Sequence, residues 1–76
     1  MLTRCEPNEW TDLGNSGETI IETRGIGCYI CLTADKTANP AEVTSMASDS
    51  KIVLSGPASV YPAQSVKAVN IYHNGA

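Results

Sequence analysis

The sequence predicts an all-β fold, a small antiparallel β-barrel or sandwich of about six or seven short strands, and three observations lead there. Short runs of β-branched and aromatic residues recur, as in Thr19-Ile20-Ile21, Cys28-Tyr29-Ile30 and Lys51-Ile52-Val53-Leu54. Gly, Pro, Asn and Ser punctuate these runs, as in Gly14-Asn15-Ser16-Gly17 and Gly56-Pro57. Helical patterning is slight, being confined to one short segment.

Taken in order, residues 1–9 read as an extended N-terminal arm and residues 10–76 as a single β domain. A first short strand is expected over 10–13 and, after the turn at 14–17, a second over 18–23. Ile20 and Ile21 then point to opposite faces, because side chains alternate along a strand. Beyond Gly25 and Gly27 the strongest strand covers 28–34, with Cys28, Ile30, Leu32 and Ala34 on one face and Tyr29, Cys31 and Thr33 on the other. Asn39-Pro40-Ala41-Glu42 has the form of a helix start, an Asn cap followed by Pro and an early Glu, so a short helix can begin near 40–47 with Val43 and Met46 as its buried side. Strands follow over 51–55 and 59–61, the latter stopped by Pro62, which cannot donate to a central ladder. The last strand, 66–72, sets Val66, Ala68, Asn70 and Tyr72 against Lys67, Val69, Ile71 and His73. Neither of its faces is cleanly polar, which points to an outer surface that meets another protein.

A domain of 76 residues buries only about 60% of the surface that its unfolded chain exposes, so its core is thin and needs a supplement. Three cysteines, Cys5, Cys28 and Cys31, are too few and too unevenly spaced for a disulfide framework, which leaves oligomerisation as the leading supplement. No basic start leads into an apolar run, and no Asn-x-Ser/Thr acceptor occurs. The expectation is therefore a chain made in the cytoplasm, with reduced thiols and no membrane partner. The net charge of −3 concentrates early, where Glu6, Glu9, Asp12, Glu18 and Glu22 face only Arg4 and Arg24. Five scattered basic residues offer little to neutralise phosphates, so nucleic acid is excluded as a partner.

Chemistry-bearing patterns fail on inventory or spacing, and no catalytic residue, cofactor or metal is expected. Cys28-Tyr29-Ile30-Cys31 has the spacing of zinc and redox motifs, but an extended strand sends the two sulfurs to opposite faces, and only Cys5 and His73 could complete a ligand set. His73, the single histidine, reads as a solvated side chain near the end of the sequence. Ser55 and Ser59 lack a nucleophile elbow, and Gly25-Ile26-Gly27 precedes a strand, not a phosphate-binding helix. Glu18 and Glu22 read as an acidic rim. The aromatics Trp10, Tyr29, Tyr61 and Tyr72 suit protein contact better than sugar stacking, for which amide and acidic neighbours are sparse.

The order of segments resembles the small β-barrel virion proteins of tailed bacteriophages, which serve as head decoration, head-fibre or tail-associated proteins. The likeness runs through Trp10 to Gly14, then Glu18 to Gly25 with Cys28-Tyr29-Ile30, then Lys51 to Gly56, Ser59-Val60-Tyr61 and Ala68-Val69-Asn70-Ile71-Tyr72. In such proteins Ala commonly follows the Val-Tyr pair directly, whereas here Pro62 intervenes before Ala63. The resemblance implies a non-enzymatic late structural protein on the head surface of the virion, a homotrimer that clamps the major capsid protein. Its alternatives are a tail or fibre adaptor, or a small carbohydrate- or cell-surface-binding module. The residues expected at its interfaces are Trp10, Tyr29, Cys31, Tyr61, Val66, Ala68 and Tyr72, and the arm before Trp10 would reach a neighbour.

Overall fold

A computed structural model describes residues 1–63 and 66–74. Among the described residues there are eight strands: β1 (Leu2–Cys5), β2 (Thr11–Asp12), β3 (Thr19–Glu22), β4 (Cys28–Leu32), β5 (Thr44–Met46), β6 (Lys51–Leu54), β7 (Ala58–Pro62) and β8 (Val69–His73). They form two four-stranded antiparallel sheets, β1-β8-β3-β6 and β2-β7-β4-β5, packed face to face as a sandwich and not closed into a barrel. Alternation decides which side chains fill the space between them. Cys5, Ile21 and Ile71 from the first sheet meet Cys28, Ile30, Met46, Ala58 and Val60 from the second, with Leu13 sealing one end and Ile52, Leu54 and Val69 packed around them.

The inward row of β3 is Thr19-Ile21-Thr23, and both threonines are fully buried. Their hydroxyls donate to loop carbonyls, Thr19 to Gly56 at 2.8 Å and Thr23 to Ala47 at 2.6 Å, so the core is tied to the turns at its two ends. Burying a hydroxyl without such a partner costs about 1–3 kcal/mol. At the turn after β3, Gly25 has a φ of +80°, where an L side chain is strained, and its amide donates to the Asp49 carboxylate. Gly27 has a different reason. A Cβ there would lie 2.6 Å from the Met46 carbonyl oxygen, so only glycine lets β4 and the end of β5 come this close.

Several boundaries differ from the sequence-based expectation. Residues 2–5 of the expected arm are the edge strand β1, in register with β8 from Leu2↔Tyr72 to Cys5↔Val69, and Cys5 is wholly buried. The ladder to β8, the buried Cys5 and the hydrogen bond between Thr3 and His73 hold the segment down. The helix start at Asn39 forms, with the Asn39 side chain accepting from the Ala41 amide, but it runs only through a single 3-10 turn, Pro40–Glu42. The β-branched Val43-Thr44 pair then continues into β5, and Met46 is buried from a strand, not a helix. The strongest strand stops at Leu32, and Thr33–Asp35 is a second 3-10 turn. Pro62 belongs to β7, at a position where no ladder bond is lost. Ala63 donates to Gly27 on the β4 side, so the Pro62 nitrogen points the other way, past the end of β2, which pairs only with Ser59 and Val60. The last strand is Val69–His73, displaced toward the C-terminus from the expected 66–72.

Candidate functional site: two outward faces

The register of the second sheet sets Tyr61 opposite Tyr29, and Tyr29 opposite Ser45, on the side away from the core. Trp10, just before β2, adds its ring at the other end. The Trp10 and Tyr61 ring centres are 5.5 Å apart and those of Tyr61 and Tyr29 are 6.2 Å apart, both edge-on. The three half-buried rings thus make an aromatic band across the sheet, an arrangement worth about 0.5–1.5 kcal/mol per pair beyond area burial. The Trp10 indole N–H donates to the Thr37 carbonyl at 2.9 Å, which anchors the band to the loop after β4.

Beside the band lies a polar row. Ser59, fully buried, donates to Asp12 at 2.6 Å and shares a hydrogen bond with the Thr33 hydroxyl at 3.0 Å, while Lys36 reaches Asp12 at 3.0 Å. The Ser59 hydroxyl first, and Lys36 second, hold the Asp12 carboxyl below the usual carboxylate range. Cys31, opposite Ser59, has its thiol pushed up by burial and then by Asp35, with Lys36 opposing. A thiol so placed is kept protonated and is a poor nucleophile or metal ligand. Cys28 faces the core instead, where burial pushes it up to about 12. The two cysteines of the Cys-x-x-Cys spacing therefore lie on opposite faces of one strand, and among the described residues no three His, Cys, Asp or Glu side chains gather as a metal site.

The outward face of the first sheet is different in character. One row runs across all four strands as Leu2-Tyr72-Glu22-Lys51, and the neighbouring row brings Ile20 opposite Val53. Leu2 and Val53 are each about half exposed, at 51% and 52%, with Met1 beside them at 73%. Arg24 lies over the Tyr72 ring, its guanidinium carbon 4.0 Å from the ring centre, and pairs with Glu22 at 3.0 Å. Arg4 and Lys51 add further basic groups to this face, and Lys67 borders a groove with Arg24, Asn70 and Tyr72.

Of the residues expected at interfaces, the structure brings Trp10, Tyr29, Cys31 and Tyr61 onto one face and places Tyr72 on the opposite one. Val66 and Ala68 precede β8, Val66 being 86% exposed and Ala68 half-buried. Sequence reasoning left Leu2, Ile20 and Val53 out of the interface set; Leu2 reaches the outward face through β1, and Ile20 and Val53 through the register of β3 with β6. His73 is not solvated. It is 6% exposed, its Nε2 is 2.6 Å from the Thr3 hydroxyl on β1, and burial, followed by the nearby N-terminal ammonium, lowers its pKa.

No protein-family model, curated protein or solved structure matches the chain.

Proposed function

We propose that the chain is a non-enzymatic structural protein of a tailed-phage virion, a head decoration protein that self-associates and stabilises neighbouring coat subunits. The observation that supports this reading is the pair of outward faces. A sandwich with one core needs only its inner faces to be apolar, yet here Leu2, Ile20, Val53 and Tyr72 stand on one outer surface and Trp10, Tyr61 and Tyr29 on the other. Rows of this kind are what a protein surface presents to a partner, with aromatic rings supplying large contact area at small entropic cost. Several weak contacts on one rigid oligomer then bind a repeating coat surface far more tightly than a single contact.

Co-sedimentation with capsids assembled from the major coat protein tests the reading. Saturable binding at a fixed ratio to coat subunits, with a higher capsid disruption temperature, is the expected result. Absence of binding at micromolar chain, or retention on a glycan array, would overturn it.

A further inference from the structure

The sequence holds one Asn-Gly pair, Asn74-Gly75. An asparagine side chain is open to attack by the next backbone nitrogen, and glycine, having no Cβ, leaves that nitrogen least hindered. The other four asparagines precede Glu9, Ser16, Pro40 and Ile71, which crowd the approach, and the proline nitrogen has no hydrogen to give up. Asn74 also occupies a particular place in the fold. It follows β8 directly, and its carboxamide fastens the end of that strand to β3 and to the turn before it. The Asn74 Oδ1 accepts from the Ile20 amide at 3.2 Å and from the Asn15 side chain, while its Nδ2 donates to the Glu18 carbonyl at 2.8 Å. Its backbone amide donates to the Ile20 carbonyl at 3.2 Å, one step beyond the pairing of Ile21 with His73. Asn15, 5% exposed, is the inner wall of this clamp, whereas Asn74 itself stands open to water.

We propose that Asn74 is a site of spontaneous deamidation, and that the change opens the clamp between β8 and β3 in one direction only. The Gly75 backbone nitrogen, giving up its proton, bonds to the Asn74 Cγ, and the Cγ–Nδ2 bond breaks with release of ammonia. Water then opens the cyclic imide at either of its carbonyls. The products are aspartate, or isoaspartate with the backbone rerouted through the side chain. The folded clamp delays the first step, because the carboxamide has to leave Asn15, Glu18 and Ile20 before it can turn toward Gly75. It does not re-form after the last step. A carboxylate only accepts, so an anionic oxygen takes the place of the Nδ2 donor opposite the Glu18 carbonyl oxygen. Both carboxylate oxygens are alike, and no rotation restores the donor. Since β8 lies between β1 and β3, the change loosens the first sheet at its centre.

Timed incubation of the purified chain at mildly alkaline pH, with peptide mapping by mass spectrometry and an enzymatic assay for isoaspartate, tests the site. Conversion is expected at Asn74 ahead of the other asparagines. It should run about tenfold or more slower in the folded chain than in urea, since opening of the clamp precedes attack. The consequence is read on Asn74→Asp, which carries one of the two products. Its folding constant in urea melts should fall by about fivefold, the loss of one buried-end hydrogen bond, and exchange of the Ile20 and Asn74-position amides should quicken. The rate comparison uses the wild-type chain alone and needs no variant that folds. Conversion at another asparagine first, or equal rates in the folded chain and in urea, refutes the protected site at Asn74. An Asn74→Asp chain as stable as wild type, with unchanged exchange at Ile20, refutes the opening of the clamp.

Discussion

Acid should loosen the sandwich through a single buried imidazole. His73 sits on the inward side of β8, 6% exposed, against the Thr3 hydroxyl, and its pKa is lowered from 6.5 by burial and by the N-terminal ammonium. A base whose pKa is lower in the folded chain binds more protons when unfolded. Stability is therefore fully present above the unfolded value near 6.5, and it is lost as pH falls from there through the folded value. One proton limits the slope to about 1.4 kcal/mol per pH unit, so one pH unit can remove up to tenfold in the folding constant. Asp12 contributes separately. Its carboxyl is held down, so its share of stability persists above the unfolded pKa of 3.8 and is lost only at more acid pH. Between pH 7.5 and 5 the His73 effect is accordingly separate from that of Asp12. Urea melts followed by Trp10 fluorescence, at fixed chain concentration, measure it. His73→Gln can keep the hydrogen bond to Thr3 without titrating, and its stability should be flat over this range. An equal acid slope in wild type and His73→Gln, or a wild type that gains stability on acidification, refutes the burial argument.

Other expectations follow from the same geometry. Ile71→Ala, at a fully buried position of the central strand β8, should cost about 2–5 kcal/mol by denaturant melting, a large part of what so small a domain has to lose. Gly27→Ala should destabilise by more than the ordinary gain of a Gly-to-Ala change, because the new methyl meets the Met46 carbonyl at 2.6 Å, and thermal melting would register this. Cys5 and Cys28, both fully buried and with thiols pushed up by burial, should react with a thiol reagent at neutral pH only as fast as the sandwich opens. Removal of residues 1–8 should lower stability as well as particle binding, since it deletes the edge strand, the Cys5 side chain and the Thr3 partner of His73.

The fold class was legible because it rests on short-range features. Runs such as 19–22 and 51–54 alternate their side chains around β-branched residues, and Gly25 marks a true positive-φ turn. Elements defined by distant partners were not. Leu2-Thr3-Arg4-Cys5 has only two apolar residues, and it becomes a strand because β8, at the far end of the sequence, offers an edge. β5 lies directly behind a good helix start, and Thr44-Ser45-Met46 has no local strength to announce it. His73 looked solvated from its place in the sequence, yet the register Ile21↔His73 turns it inward with the other odd-numbered residues of β8. The aromatic residues were identifiable as interface material by type. Their division between two faces depends on which sheet each strand joins, and residue type carries no signal of that.

Sedimentation equilibrium of the purified wild-type chain over micromolar to millimolar concentration tests the central claim most directly, that the outward rows are covered by further copies. The account predicts a mass that rises with concentration above the 8.0 kDa of one chain, and falls back when Val53→Glu is introduced. A mass of 8.0 kDa throughout would contradict it.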